Sequence, residues 1–272
     1  FFGFLLKKLN TELLKKKFFY YGWLFGFGYF STNLYWISIS LTFDENFIFL
    51  IPITLILIPS FISIFYGIIT LLFYLLKPKN IISAFFMFSL LFGGIEFLRG
   101  IVLTGFPWNL IVYSLSKNLE FISIISIIGT YSLNLIVISF FTLPALFVLR
   151  KSKKEIGICI ILVILPILFL GYGNFQKREF LTKDIKKNPY TIRIIASNIS
   201  LDRFYNNIQT ETVIEELITI SSPDKNKKTF FLWPEGIIPN TYQDEMHLYK
   251  DMFLKNFDEN HLIGLGITKR EL

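Results

Sequence analysis

Few side chains in this sequence could do chemistry, and the most suggestive is Glu235. It stands in Thr229-Phe230-Phe231-Leu232-Trp233-Pro234-Glu235-Gly236-Ile237-Ile238-Pro239-Asn240. Phe230 to Trp233 read as a short buried strand, and Pro234 stops it because proline donates nothing to a ladder. Glu235 is thereby delivered at a strand's carboxyl end, where α/β folds collect reactive groups. Gly236 allows the turn and Pro239 stiffens the exit. Such a carboxylate suits a general base, although the stretch alone favours an ordinary loop glutamate.

The other candidates are weaker. Glu96 and Arg99 lie three apart in an apolar run, a spacing that pairs them on one helix face. That pair reads equally as a functional site or as an ion pair locking two helices. Cys159 also lies in an apolar run, where a thiol does not ionise, so it is expected to be inert. It is the only cysteine, which excludes an intrachain disulfide. His247 and His261 have no ligand-like spacing, so no metal site is expected. No Gly-rich phosphate loop stands in a strand–loop–helix context, and no cofactor is called for.

The elements that must position these residues divide the chain in two. Of 272 residues, 53% are hydrophobic and 32 are Phe, a composition that points to a membrane. Five stretches can each cross a bilayer: about 18–41, 47–76, 81–102, 121–149 and 156–171. The second and fourth are long and should tilt or bend at Pro52, Pro59 or Pro144. Phe1–Leu6 reads as the tail of an earlier helix. Alternate loops hold 11 basic residues (Lys7, Lys8, Lys15 to Lys17, Lys77, Lys79, Arg150, Lys151, Lys153, Lys154), and the opposite loops hold Lys117. By the positive-inside bias the basic loops are cytoplasmic, and five crossings carry everything after Gly173 to the outer side. Trp108 reads as an interfacial anchor, and Gly22, Gly26 and Gly28, followed by Tyr35-Trp36, as points of close helix packing.

Of the net charge of +7, all of the excess lies in residues 1–173; residues 174–272 balance 14 basic against 14 acidic side chains. A nucleic-acid partner is therefore not expected. Residues 190–197 alternate as a strand, 207–221 show helical spacing, 244–257 form a second helix candidate, and 261–267 a third strand. The expected fold class is thus a polytopic α-helical membrane domain (1–173) followed by an α/β domain (174–272). About 99 residues are few for such a sheet, and the opening Phe1 is not a Met, so we expect a piece of a longer chain.

Four motifs carry a family resemblance. They are Gly26-Phe27-Gly28-Tyr29-Phe30 with Leu34-Tyr35-Trp36-Ile37; Glu96-Phe97-Leu98-Arg99-Gly100 running into Thr104-Gly105-Phe106-Pro107-Trp108-Asn109; Ser197-Asn198-Ile199; and Trp233-Pro234-Glu235 with Ile238-Pro239. In this order they resemble the bacterial apolipoprotein N-acyltransferases, polytopic inner-membrane enzymes with a nitrilase-like (α-β-β-α) domain on the periplasmic side. The resemblance implies an incomplete nitrilase-like domain over 174–272 and a catalytic role for Glu235. It implies a ping-pong reaction: a phospholipid donates an acyl chain to a cysteine thiol, and the thioester acylates the amino terminus of a diacylated lipoprotein.

The family's lysine and cysteine are expected beyond Leu272, Lys269 following the third strand too closely to match that lysine. Residues 1–272 alone are then expected to be inactive. The chain departs from the family in having Ser200-Leu201 where a proline and glutamine are usual, and Tyr205 near a usual tryptophan. Two other classes compete. A transporter or channel would line its pathway with Glu96 and Arg99 but should show inverted repeats, and none is visible. A membrane-tethered amidase would use the same chemistry on a small amide.

Overall fold

The computed structural model describes residues 1–9, 11–12, 14–103, 105–183, 188–197, 209–238 and 241–270. Asn198 to Leu201, Tyr205, Thr104, Pro239 and Asn240, all named above, lie outside the described residues. The chain divides into two compact units, Phe1–Lys183 and Asp184–Leu272.

The first unit is helical: α1 (Phe2–Leu9), α2 (Lys15–Leu34), α3 (Ile51–Leu76), α4 (Ile81–Arg99), α5 (Leu119–Ile122), α6 (Ile125–Ile128), α7 (Thr130–Val148) and α8 (Lys153–Thr182). Local chemistry sets several boundaries. Pro52 stands in the first turn of α3, where its missing N–H costs nothing, and Lys77 closes the helix in the left-handed conformation at φ 41°. The Asn80 side chain caps α4 by accepting from the Ser83 N–H at 2.8 Å. Ser152 and Glu155 form a capping box at the start of α8.

Among the described residues, four segments are long and apolar enough to cross a membrane: Glu45–Leu76, Ile81–Arg99, Thr130–Val148 and Lys153–Thr182. The stretch expected to cross over 18–41 differs. It folds as α2 to Leu34 and then as a 3-10 segment, Tyr35–Phe43. Three lysines open α2 and Ser31, Thr32 and Asn33 stand near its end, so it falls outside those four. It nevertheless lies antiparallel along α3. The Trp23 indole N–H donates to Ser60 O (2.9 Å), and the Thr70 hydroxyl to Phe18 O (2.6 Å).

The stretch expected over 121–149 is broken, because Gly129 turns at φ +78° between α6 and α7. The helix expected over 156–171 extends to Thr182: residues 174–182 contain no breaker, and Lys177 pairs with Glu120 at 2.6 Å. That ammonium holds the Glu120 carboxyl below its usual range. Residue 173, expected as the end of the apolar half, therefore lies inside α8.

The bundle core is aromatic, with Phe2, Phe18, Phe30, Phe73, Phe85, Phe88 and Phe92 buried around Tyr66. Between apolar helices in lipid, van der Waals packing supplies the attraction, and close approach needs small residues. Gly22 is such a point. A Cβ there would lie 2.1 Å from Tyr66 O and 2.3 Å from Thr70 Oγ1.

The second unit holds a parallel sheet, β1 (Thr191–Ile194), β2 (Thr229–Leu232) and β3 (His261–Gly264), in spatial order β1-β2-β3. Its register aligns Thr191, Thr229 and His261. Helix α9 (Thr210–Ser221) connects β1 to β2, and a 3-10 turn (Gln243–Tyr249) running into α10 (Lys250–Asn256) connects β2 to β3. Phe231, Trp233, Val213, Ile214, Leu217 and Phe257 build the core on one face. On the other, Ile192, Ile194 and Leu262 are exposed. The structure thus has a small parallel α/β sheet with helices on one face.

Gly22→Ala should lower stability in detergent by about 1–3 kcal/mol through overpacking, whereas Gly28→Ala, with open space around it, should cost nothing. Thermal unfolding of the two variants checks this, and equal midpoints would refute the close α2–α3 contact.

Candidate functional site

In the second unit the three strands end side by side, and the segment after β2 is held against the segment after β3. The Trp233 N–H donates to Gly264 O (2.9 Å), the Gly236 N–H to Gly266 O (3.3 Å) and the Gln243 N–H to Thr268 O (2.9 Å). Trp233, Ile237 and Ile238 are buried, while Glu235 and Gly236 between them are exposed. Gly236 takes φ +61°, a conformation that favours glycine.

The Glu235 side chain passes directly over Gly266, where an added Cβ would meet Glu235 Cγ at 2.9 Å and Cα at 3.1 Å. Underneath, the Trp233 indole donates to the Ser221 hydroxyl (2.9 Å), and Arg193 donates to Ser221 O (2.8 Å). The result is a carboxyl at the carboxyl end of the central strand, on a turn anchored at both sides and open to solvent. Chemically, it is placed to accept a proton from a group arriving from outside.

His261 belongs to the framework. Its Nδ1 accepts from the Asp258 N–H (3.1 Å) and its Nε2 pairs with Asp224 O (3.1 Å). His247 pairs through Nδ1 with Asp244 O (2.5 Å). Cys159 is buried in α8.

The first unit contains a second concentration of polar groups. Glu96 and Arg99 do pair, at 3.8 Å, with side chains 0% and 1% exposed. Glu96 Oε1 accepts from the Tyr66 hydroxyl (2.8 Å), and Oε2 accepts from the Asn134 amide. Asn134 in turn accepts from the Val112 N–H through Oδ1 (2.9 Å). Arg99 Nη1 donates to Phe106 O (3.0 Å) and Trp108 O (2.9 Å), and its guanidinium stacks near the Phe30 and Phe106 rings.

Two stretches far apart in sequence meet here. The Tyr29 hydroxyl donates to Asn109 O (3.1 Å), the Asn109 amide to Asn33 O (3.2 Å), and the Trp36 and Trp108 ring centroids are 5.5 Å apart. Tyr66 and Asn134 went unremarked in the sequence. The signal was present, since each is a polar side chain inside an apolar run.

Fold and site together define a polytopic membrane protein joined to a parallel α/β unit with a carboxyl at its central strand end. Residues 1–143 match the family model for the apolipoprotein N-acyltransferase N-terminal domain. The chain belongs to the apolipoprotein N-acyltransferase family.

Similar proteins bearing that name include one from Rhizobium etli (strain CIAT 652), 29% identical over 261 residues, covering 92% of this chain and 48% of the relative. Another, from Brucella melitensis biotype 1, is 26% identical over 224 residues, covering 80% and 41%. A third, from Allorhizobium ampelinum (strain S4), is 27% identical over 226 residues, covering 81% and 42%. The chain spans less than half the length of these relatives.

Proposed function

We propose that this chain forms the membrane-embedded part and the first part of the catalytic domain of a lipoprotein N-acyltransferase, with Glu235 as general base. The observation that carries the reading is Glu235 itself, exposed at the end of the central parallel strand and fixed over Gly266. In the proposed reaction a cysteine thiol attacks a phospholipid ester, forming a thioester as the lysophospholipid leaves with the proton, and the amino terminus of a diacylated lipoprotein then attacks the thioester, forming the amide and releasing the thiol. A thiol attacks as its thiolate, so a base must take its proton, and Glu235 is assigned that step.

Cys159 is not that thiol, being buried in α8. The thiol and an oxyanion-stabilising lysine belong, on this reading, to the part of the relatives' length that residues 1–272 do not cover. Residues 1–272 alone then support no turnover. A nitrilase-like sandwich would cover the sheet face on which Ile192, Ile194 and Leu262 are exposed. The transporter reading is disfavoured because the Glu96 carboxyl is taken up by the Tyr66 hydroxyl and the Asn134 amide, and the sequence shows no inverted repeat.

We further place the protein in a bacterial inner membrane, with the basic loops in the cytoplasm and residues 184–272 in the periplasm. Helix α2 has 20 residues, about 30 Å at 1.5 Å per residue, and it pairs with α3 over that length. It is therefore taken to cross beside α3 as the first of five spans.

A reporter active only in the periplasm should be active when fused after Leu272 and silent when fused after Lys79; the reverse pattern would overturn the topology. For the chemistry, the chain is continued by the uncovered remainder of the Rhizobium etli relative. In this chimera Glu235→Gln should reduce conversion of a diacylated to a triacylated lipoprotein by roughly 10²–10⁴-fold at unchanged membrane abundance. Glutamine keeps the size but does not take up the proton, so near-normal turnover in Glu235→Gln would reduce Glu235 to a loop residue.

A further inference from the structure

The start of α2 gathers cations without the anions to match them. Lys15, Lys16 and Lys17 fill its first turn, and that turn holds no acidic residue. Cations placed there face the positive end of the helix dipole, which disfavours them. Lys17 is offset by Glu12 at 3.0 Å, and Lys77, at the close of α3, lies over the Tyr74 ring at 5.6 Å. Among the described residues Lys15 and Lys16 have no carboxylate partner, and both are exposed.

The same two lysines border an apolar trough of about 390 Å³, walled by Phe19 and Tyr20 on α2 and by Leu71 and Leu75 on α3. Gly67, Leu71 and Leu75 recur every four residues, so they share one face of α3 over about 12 Å at 1.5 Å per residue. The Phe19 ring closes the inner end. It lies on Gly67, where an added Cβ would stand 2.6 Å from Phe19 Cε2. Tyr20 and Leu75 are exposed, so the trough opens on the flank of the bundle. Its volume is within the range of small-molecule sites, and none of its lining residues belongs to the Glu96–Arg99 cluster. Two unpaired cations at the mouth of an apolar trough complement an amphiphile with an anionic head.

We propose that this trough holds one acidic phospholipid as a resident, unreacted lipid, its phosphate accepting from the Lys15 and Lys16 ammonium groups and an acyl chain lying along Leu71 and Leu75. The bound anion offsets the charge that the chain's own side chains leave uncompensated at the start of α2. A zwitterionic lipid gains less, because its headgroup cation stands beside its phosphate and repels the lysines. The proposal rests on the first unit alone and concerns neither Glu235 nor the acyl donor.

The test is native mass spectrometry of the full 272-residue chain, released from detergent and titrated separately with dioleoylphosphatidylglycerol and dioleoylphosphatidylcholine. The two lipids have the same chains and differ in headgroup charge. Phosphatidylglycerol should give a saturable single adduct and bind about 25-fold more tightly, about fivefold for each lysine. The double variant Lys15→Gln/Lys16→Gln should lose this preference. Lys151→Gln/Lys153→Gln, which removes the same charge before and at the start of α8, should keep it. Leu75→Trp should fill the trough and weaken both lipids by about tenfold, the equivalent of roughly two methylenes kept out. All five substitutions fall on exposed side chains, so the fold is retained. Equal binding of the two lipids, or a preference that survives in Lys15→Gln/Lys16→Gln, would overturn the proposal. Loss of the preference in Lys151→Gln/Lys153→Gln as well would reduce it to diffuse attraction and overturn the site, as would unchanged binding in Leu75→Trp.

Discussion

The Glu96 carboxyl is held by hydrogen bonds from two neighbouring helices, Tyr66 on α3 and Asn134 on α7, while itself standing on α4. A polar group placed in apolar surroundings must find its partners within the protein, because lipid offers none. This requirement fixes more than one contact. Asn134 faces Glu96 with its amide, which turns its oxygen toward Val112 N–H and orients the segment after the 100–110 turn. Arg99, one helical turn on, is drawn to the same place and grips that turn through Phe106 O and Trp108 O. Gly22 and Gly26 allow α2 close enough to α3 to pack against Tyr66, whose hydroxyl reaches Glu96. The packing of α2, α3, α4 and α7 near this point thus follows from satisfying one carboxyl.

The second unit obeys a different constraint. In water the parallel sheet is driven by apolar burial, and α9 and α10 supply it on one face. The strand ends must then be terminated, and here Pro234 and the left-handed Gly236 do so around Glu235. A side chain at such a turn keeps its backbone fixed by the core residues Trp233 and Ile237 on either side, and its carboxyl remains free.

Much of this was legible in the sequence, because the signals were local. The strand–Pro–Glu–Gly order placed Glu235 at a strand end, and the i, i+3 spacing paired Glu96 with Arg99. The β-α-β-α-β order of the second unit followed from period and breakers. What was not legible depended on context. The crossing expected over 18–41 became α2 and a 3-10 segment, since its polar residues cluster at Ser31 to Asn33 and no proline marks the change. The stretch over 121–149 broke at Gly129, whose left-handed backbone is invisible in a hydropathy profile. Helix α8 ran past Gly173 because an ion pair between Lys177 and Glu120 lies fifty-seven residues apart in sequence. Tyr66 and Asn134 could be suspected as polar residues in apolar runs, but their convergence on Glu96 is a tertiary fact.

Whether one carboxyl couples these helices is tested most directly by a double-mutant cycle between Tyr66→Phe and Asn134→Leu, read by reversible unfolding in detergent. The two side chains reach different oxygens of Glu96, so any coupling between them runs through that group. The expected result is non-additivity of about 0.5–3 kcal/mol. Additivity within about 0.5 kcal/mol would contradict the account, since the helices would then be held by their apolar packing with Glu96 only a passenger.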